Sequence, residues 1–286
     1  MSDLLTDKDL HVLDGPDFSD IPLNTPNDEI VAHVEHSIRL GYPQVKPQPV
    51  QRETVCIVGG GPTLEDTFEE LRDLYFGGAL IVTVNGSYQW CLDRNIQPSA
   101  QIVLDARAEN ARFVDPPAPR CKYFIASQCH PETWKRVEGR SDVYIWHGAM
   151  TYNEHLRPIL DRYYGGHWTP MPGGTTVVIR AIQLLRVLGF MRFHLFGVDS
   201  CVKRGLHHAY PQPENDGDVI QPVRISRNGE QGRYFECAAF HQKQLECFLQ
   251  MIRLYGHLFL LHVHGDGMLA YALKLGADAV QMEVKP

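Results

Sequence analysis

A chain of 286 residues, 44% hydrophobic and 21% charged, can bury a sizeable core, in one α/β domain with extensions or at most two small domains. Its 34 acidic residues outnumber 27 basic ones for a net charge of −7, and it has no basic run, which disfavours sequence-independent binding to nucleic acid or an anionic membrane surface. No segment reaches the roughly eighteen apolar residues of a membrane span. The acidic start lacks the regions of a signal peptide, and the seven scattered cysteines, without a CxxC pair, read as reduced thiols of a cytoplasmic protein.

Residues 1–27 are polar and read as an irregular arm. "DEIVAHVEHSIRL" has helical spacing at Ile30, Val34 and Ile38, and "GYPQVKPQPVQRE" follows as a proline-rich linker, closing a first unit over residues 1–52. From residue 53 to 286 strands and helices alternate. "TVCIV" reads as a strand, "LEDTFEELRDLY" as a helix starting near Thr63, "ALIVTV" as a strand, "SYQWCLDRN" as a helix and "AQIVLD" as a strand. "KYFIAS" and "DVYIWH" continue the series of strands, a long helix follows "GGTT", and "RFHLFGV" is the next strand. Residues 199–230 are polar and rich in Pro, Asn and Gly, a length that suits a lid rather than inert filler. "AAFHQKQLECFLQMIRLYG", "HLFLLHV" and "GMLAYALKLG" close the chain as helix, strand and helix. Near-continuous apolar strands suit a sheet covered on both faces, so the expectation is a three-layer, Rossmann-like α/β domain with a mainly parallel sheet.

The first strand breaks into "GGGPTL". A dinucleotide fingerprint needs glycine where Leu64 stands and an acidic residue where the second strand ends in Asn85; a P-loop needs a lysine, and residues 55–75 have none. What is left is an anion-friendly corner made of the Gly60 and Gly61 amides with the start of a helix at Thr63. The same residues also suit a plain tight turn with Pro62 at the first helical position. Other strand ends carry Asn85-Gly86-Ser87, Asp105 with Arg107, His147-Gly148, Gly197-Val198-Asp199 and His264-Gly265-Asp266, and "MPGGTTVVIRAI" offers a second anion corner. His262 and His264 with Asp266 admit a metal reading, but two histidines without a clear third ligand read first as packed residues.

"IVGGGPTL", "VNGSYQWCLDRNIQPSAQIVLD", "GGTTVVIRAIQLLRVLGFMRFHLFGVDSC" and "HHAY", in this order, resemble the 6-hydroxymethylpterin diphosphokinase MptE-like family, which includes the central domain of flagellin motility accessory factors (Maf). The same order of elements occurs in bacterial sialyltransferases that use CMP-activated sugars, and the resemblance covers roughly residues 53–275. It implies that Gly59, Gly61 and Thr63 hold the nucleotide, that Asn85 contacts the donor with Ser87 close by, and that Gly174, Thr175 and Thr176 face the donor phosphate or nucleoside. It implies that His208 and Tyr210 assist the leaving phosphate. Where sialyltransferases carry a histidine base, this chain offers Glu236, with His241 five residues on, as the matching base. Where archaeal pterin diphosphokinases place an acidic metal-binding cluster, it has only Asp105.

These readings give a nucleotide-dependent group transferase with a CMP-sugar donor as the first expectation. An ATP- and Mg²⁺-dependent diphosphokinase with Asp105 and Asp199 on the metal is the second, and a protein that binds nucleotide or a partner without turnover is the third. No resident cofactor or metal is expected in the first; the acceptor and any homo-oligomeric state are left open.

Overall fold

The computed structural model describes residues 25–148, 155–174, 176–213, 217–228 and 230–284. In chain order the strands are β1 (Val55–Val58), β2 (Leu80–Val84), β3 (Ala100–Val103), β4 (Lys122–Ala126), β5 (Val143–Gly148), β6 (Pro170–Met171), β7 (Arg192–Phe196), β8 (Gln221–Arg227), β9 (Arg233–Cys237), β10 (Leu260–Val263) and β11 (Val280–Val284). The α-helices are α1 (Asn27–Arg39), α2 (Phe68–Phe76), α3 (Ser87–Asp93), α4 (Pro131–Arg136), α5 (Arg157–Tyr164), α6 (Val177–Val187), α7 (Ala239–Tyr255) and α8 (Met268–Leu275).

Eight strands form one parallel sheet in the order β10-β7-β1-β2-β3-β4-β5-β6, with helices on both sides, as the apolar runs lead one to expect. Alternate residues of the inner strands serve two cores. Cys56, Val58, Ile81 and Phe196 pack with Leu64, Leu71 and Trp90 on one face, while Val55, Ile57, Val82 and Leu195 join the larger core on the other. Burial on both faces is why β1 reads as four apolar residues in a row, all buried.

The chain walks outward from β1 to β6 and then returns to place β7 on the opposite flank of β1. This reversal makes the β1/β7 boundary the topological switch point, where open α/β sheets leave a crevice beyond the carboxyl ends of the strands. Register pairs Val58 with Phe196, so the residues that follow both strands meet there.

Two sequence expectations are corrected. The helix expected from Thr63 starts at Phe68; Pro62–Leu64 is a single 3-10 turn. The Thr63 amide is drawn away by Asp199, and the Thr67 hydroxyl bonds back to the Thr63 carbonyl at 3.0 Å, a local competition that delays the regular helix. The polar stretch 199–230 contains a strand, β8, which pairs antiparallel with β9 and β11 in a separate three-stranded sheet. Only Val223, Ile225 and Ser226 of β8 are buried, so half-exposed strands here carry none of the apolar continuity that marks the main sheet.

The segment before β1 is packed into the main core: Ile30, Val34, Ile38 and Val45 are buried there, and the Val45 amide donates to Ile145 O at 3.0 Å. Residues 1–24 of the expected arm lie outside the described residues.

Candidate functional site

At the switch point the glycine turn is stitched to the end of β7. Gly59 N–H donates to Phe196 O (2.8 Å) and Gly61 N–H to Gly197 O (2.7 Å). Gly197 holds φ +59, a left-handed conformation that favours glycine. A Cβ on Gly59 would stand 2.5 Å from Gly197 O, and one on Gly61 would run into the Asp199 carboxylate. Asp199 accepts from Thr63 N–H at 2.8 Å and from Thr63 Oγ1 at 2.5 Å.

The expected anion corner is therefore occupied by the chain's own carboxylate. The Gly61 and Thr63 amides are engaged, and Gly60 keeps the one turn amide without a protein acceptor among the described residues. Thr63 is fully buried, so it ties the turn to β7 rather than facing a ligand. Burial pushes the Asp199 carboxyl up to about 6, against the pull of its two Thr63 hydrogen bonds.

The polar loop after β7 folds over this turn. Ala209 N–H donates to Gly60 O at 2.9 Å, which brings its two neighbours onto the glycines. The Tyr210 hydroxyl stands where a Cβ on Gly60 would be, His208 Cδ2 lies 2.7 Å from that position, and Tyr210 Cε2 lies 2.8 Å from the equivalent position on Gly86. Gly60 and Gly86 are thus the residues that make room for the tyrosine. Burial raises the phenol well above its ordinary value, so Tyr210 keeps its proton and remains a donor. Its other flank walls a groove of about 500 Å³ with Gln89, Arg94 and Arg112.

The remaining expected residues divide. Asn85 takes φ +46, accepts from Leu104 N–H through Oδ1 at 3.3 Å, and leads directly into Gly86. Ser87 is fully buried; its hydroxyl donates to Val58 O at 2.5 Å and accepts from Val84 N–H at 3.1 Å, clasping the ends of β1 and β2. Asp105 is held by Arg107 through both oxygens, at 3.0 and 2.7 Å. Burial works to raise this carboxyl, but the hydrogen bonds and charge of Arg107 together outweigh it and hold it below its ordinary value.

Thr176 caps α6 by accepting from Val178 N–H at 3.0 Å, and Gly174 O accepts from the buried Arg180 at 3.4 Å. No hydrogen bond joins these two to the glycine turn among the described residues, and Thr175 lies outside them. Glu236 is exposed on β9, its carbonyl accepting from Val202 N–H at 2.7 Å. His241 is buried in the first turn of α7, where its Nδ1 accepts from Ala238 N–H at 3.1 Å. A ring nitrogen that accepts there is in no position to take a proton, so the base role fails for His241 at Nδ1.

The histidines of the sheet edge bond to one another rather than to an ion site. His264 Nδ1 lies 2.5 Å from Glu70 Oε2 and its Nε2 2.9 Å from His194 Nδ1, while Asp266 pairs with Lys203 at 2.5 Å. No group of three or more His, Cys, Asp or Glu suited to a metal occurs among the described residues.

The site therefore gathers Gly59, Gly60, Gly61, Thr63, Asp199, His208 and Tyr210, with Asn85 alongside. Sequence reasoning placed Gly86 and Gly197 in strand-end runs but gave neither a role of its own; the structure makes Gly197 the left-handed partner of the glycine turn and Gly86 the residue that leaves room for Tyr210.

Sheet order, switch-point glycines and covering loop define a Rossmann-like α/β domain with one candidate ligand site at the β1/β7 boundary. The chain belongs to the 6-hydroxymethylpterin diphosphokinase MptE-like family, whose model matches residues 36–205. The match starts earlier than the expected residue 53 and ends before His208, Tyr210, Glu236 and His241. Among solved structures, the chain is similar to the MAf glycosyltransferase from Magnetospirillum magneticum AMB-1, with a TM-score of 0.62 and 18% identity over 92% of this chain. It spans 43% of that protein's length. A mammalian sialyltransferase aligns at a TM-score of 0.39 and 9% identity, over 85% of this chain and 80% of that one, a likeness too low to argue from. No curated protein matches the chain. No helix among the described residues is long and apolar enough to cross a membrane.

Proposed function

We propose that this chain is a nucleotide-dependent group transferase that uses a CMP-activated sugar. The observation that carries the reading is the meeting of His208 and Tyr210 with the switch-point glycines. A donor phosphate would take the Gly60 amide, with Tyr210 moved aside from the glycines and turned to donate its hydroxyl proton. His208 and Tyr210 would then strengthen their hydrogen bonds as negative charge gathers on the departing phosphate. A lid closed over them excludes water and protects an activated donor from hydrolysis. Glu236 is the candidate for taking the acceptor's proton, help of about a hundred- to ten-thousand-fold.

The family's description and the fold shared with a glycosyltransferase support transfer chemistry in general. Between donors, the acidic residues favour the CMP-sugar. The ATP and Mg²⁺ reading needs Asp105 and Asp199 as ligands, yet Arg107 holds both oxygens of the first and Thr63 both oxygens of the second. Those two carboxylates do not fit a magnesium site as they stand. A thermal-shift panel of CMP, CDP, ATP and GTP, with and without Mg²⁺, tests the reading; a ligand at a hundred times its dissociation constant adds about 2.7 kcal/mol. Stabilisation by CMP without metal is the expected result. A response to ATP only with Mg²⁺ would favour diphosphate transfer, and silence across the panel would favour a binding protein.

A further inference from the structure

The first turn of α7 holds a histidine whose protonation is dictated by the backbone. Ala238 N–H points at His241 Nδ1, 3.1 Å away. An amide N–H can only donate, so Nδ1 must present its lone pair, and a neutral ring then carries its hydrogen on Nε2. Charging the ring would set a second hydrogen against that amide. Burial to 5% exposure opposes charge as well, and with His207 and His208 alongside it holds the group down to about 3. The Nε2–H finds no acceptor among the described residues.

Its surroundings say what would complete it. The His241 ring stacks on His207 with centroids 6.0 Å apart, and the same lid segment carries His208 and Tyr210 onto Gly60. The amino end of the 17-residue α7 adds its partial positive charge at this place. Glu236, the acidic residue just ahead of the helix, is exposed.

We propose that His241 is a permanent hydrogen-bond donor, fixed in its Nε2–H form by the Ala238 amide, and that the amino end of α7 is a subsite for an anionic oxygen bound beneath the lid histidines. The ligand class is a phosphate or pyrophosphate group; that it belongs to a nucleotide rests on the reading above. The histidine that sequence comparison offers as a proton acceptor becomes a donor, which leaves proton abstraction to another group.

The test combines a direct measurement with a crossed pair of substitutions on the full chain. Long-range ¹H–¹⁵N spectra of ¹⁵N-histidine-labelled protein report the tautomer: Nε2–H is expected across neutral pH, with the His241 signals moving when CMP or inorganic pyrophosphate is added. His241→Asn keeps an acceptor at the Nδ1 position and removes the donor at Nε2; His241→Gln carries an amide donor to the Nε2 position and drops the cap. CMP affinity should fall roughly ten- to a hundred-fold in the first and stay near wild type in the second. The reverse pattern, two variants that both bind like wild type, or an Nδ1–H tautomer would overturn the subsite. If wild-type protein binds no nucleotide, the transferase reading fails by itself. Pyrophosphate then decides the subsite alone: shifted His241 signals uphold it and unmoved signals overturn it.

Discussion

Two turns of this chain look alike in sequence and are built for different neighbours. Gly59–Thr63 and the Gly-Gly-Thr-Thr run before α6 both combine glycines with hydroxyls after a strand. In the second, the work is local: Thr176 caps its own helix and Gly174 O accepts from Arg180 six residues on. In the first, besides local bonds from Leu64 and Thr67, the partners come from the far side of the reversal: Phe196, Gly197, Asp199 and Ala209 by hydrogen bonds, His208 and Tyr210 by close packing. Glycine and threonine content announces a close approach without saying which group approaches. Strand order decides that.

The sharpest way to break the comparison is Gly61→Val. Its side chain would enter the space of the Asp199 carboxylate and Gly197 O, so the protein should lose about 3 kcal/mol or more in denaturant titrations. A fully stable Gly61→Val protein would mean the turn is looser than its hydrogen bonds require.

Asp199→Asn sharpens it through pH. The carboxyl rises from its ordinary 3.8 to about 6 on folding, so the folded state binds this proton more tightly than the unfolded one. The stability it contributes is complete below 3.8 and is lost as pH climbs through about 6. Relative to wild type, Asp199→Asn should therefore gain stability across that interval and run parallel above it. Parallel melting curves over the whole interval would show that Asp199 titrates normally.

Tyr210→Phe probes the lid side of the same turn. Once a donor is known, turnover should fall about ten- to a hundred-fold while donor affinity changes less, because the lost hydrogen bond matters most as phosphate charge develops. A loss confined to binding would make Tyr210 a wall.

The smallest effect belongs to the local turn. Thr176→Ala removes a helix cap and should cost about 1 kcal/mol, with nucleotide affinity unchanged. A matching drop in affinity would join the two turns into one site and undo the contrast.

The strands of the main sheet were legible because burial on both faces leaves apolar runs such as "VCIV" and "LIVTV" that need no partner to be recognised. β6 has two residues and leaves no pattern, while β8 and β11 expose much of their length and blend with loop composition. Of the site, the glycine turn and the lid histidine–tyrosine pair could be found from sequence. The Thr63–Asp199 bond could not, since it spans 136 residues and depends on where β7 returns. Ser87 read as a donor contact for a similar reason: its hydroxyl serves two strand ends that only the folded sheet places side by side.

The return of β7 to the flank of β1 also sets an order of events in time. Pairings this distant close large loops and form slowly, after contacts between sequence neighbours. On the ribosome, where synthesis proceeds from the amino end, β1 and its glycines emerge long before Asp199 exists to hold them. Until then one edge of β1 is bare, with its apolar residues and unpaired backbone open to other chains. The candidate crevice is thus among the last features of the sheet to be completed, and a chain cut short before β7 would carry the glycine turn and six of the sheet's eight strands but none of Asp199, His208 and Tyr210.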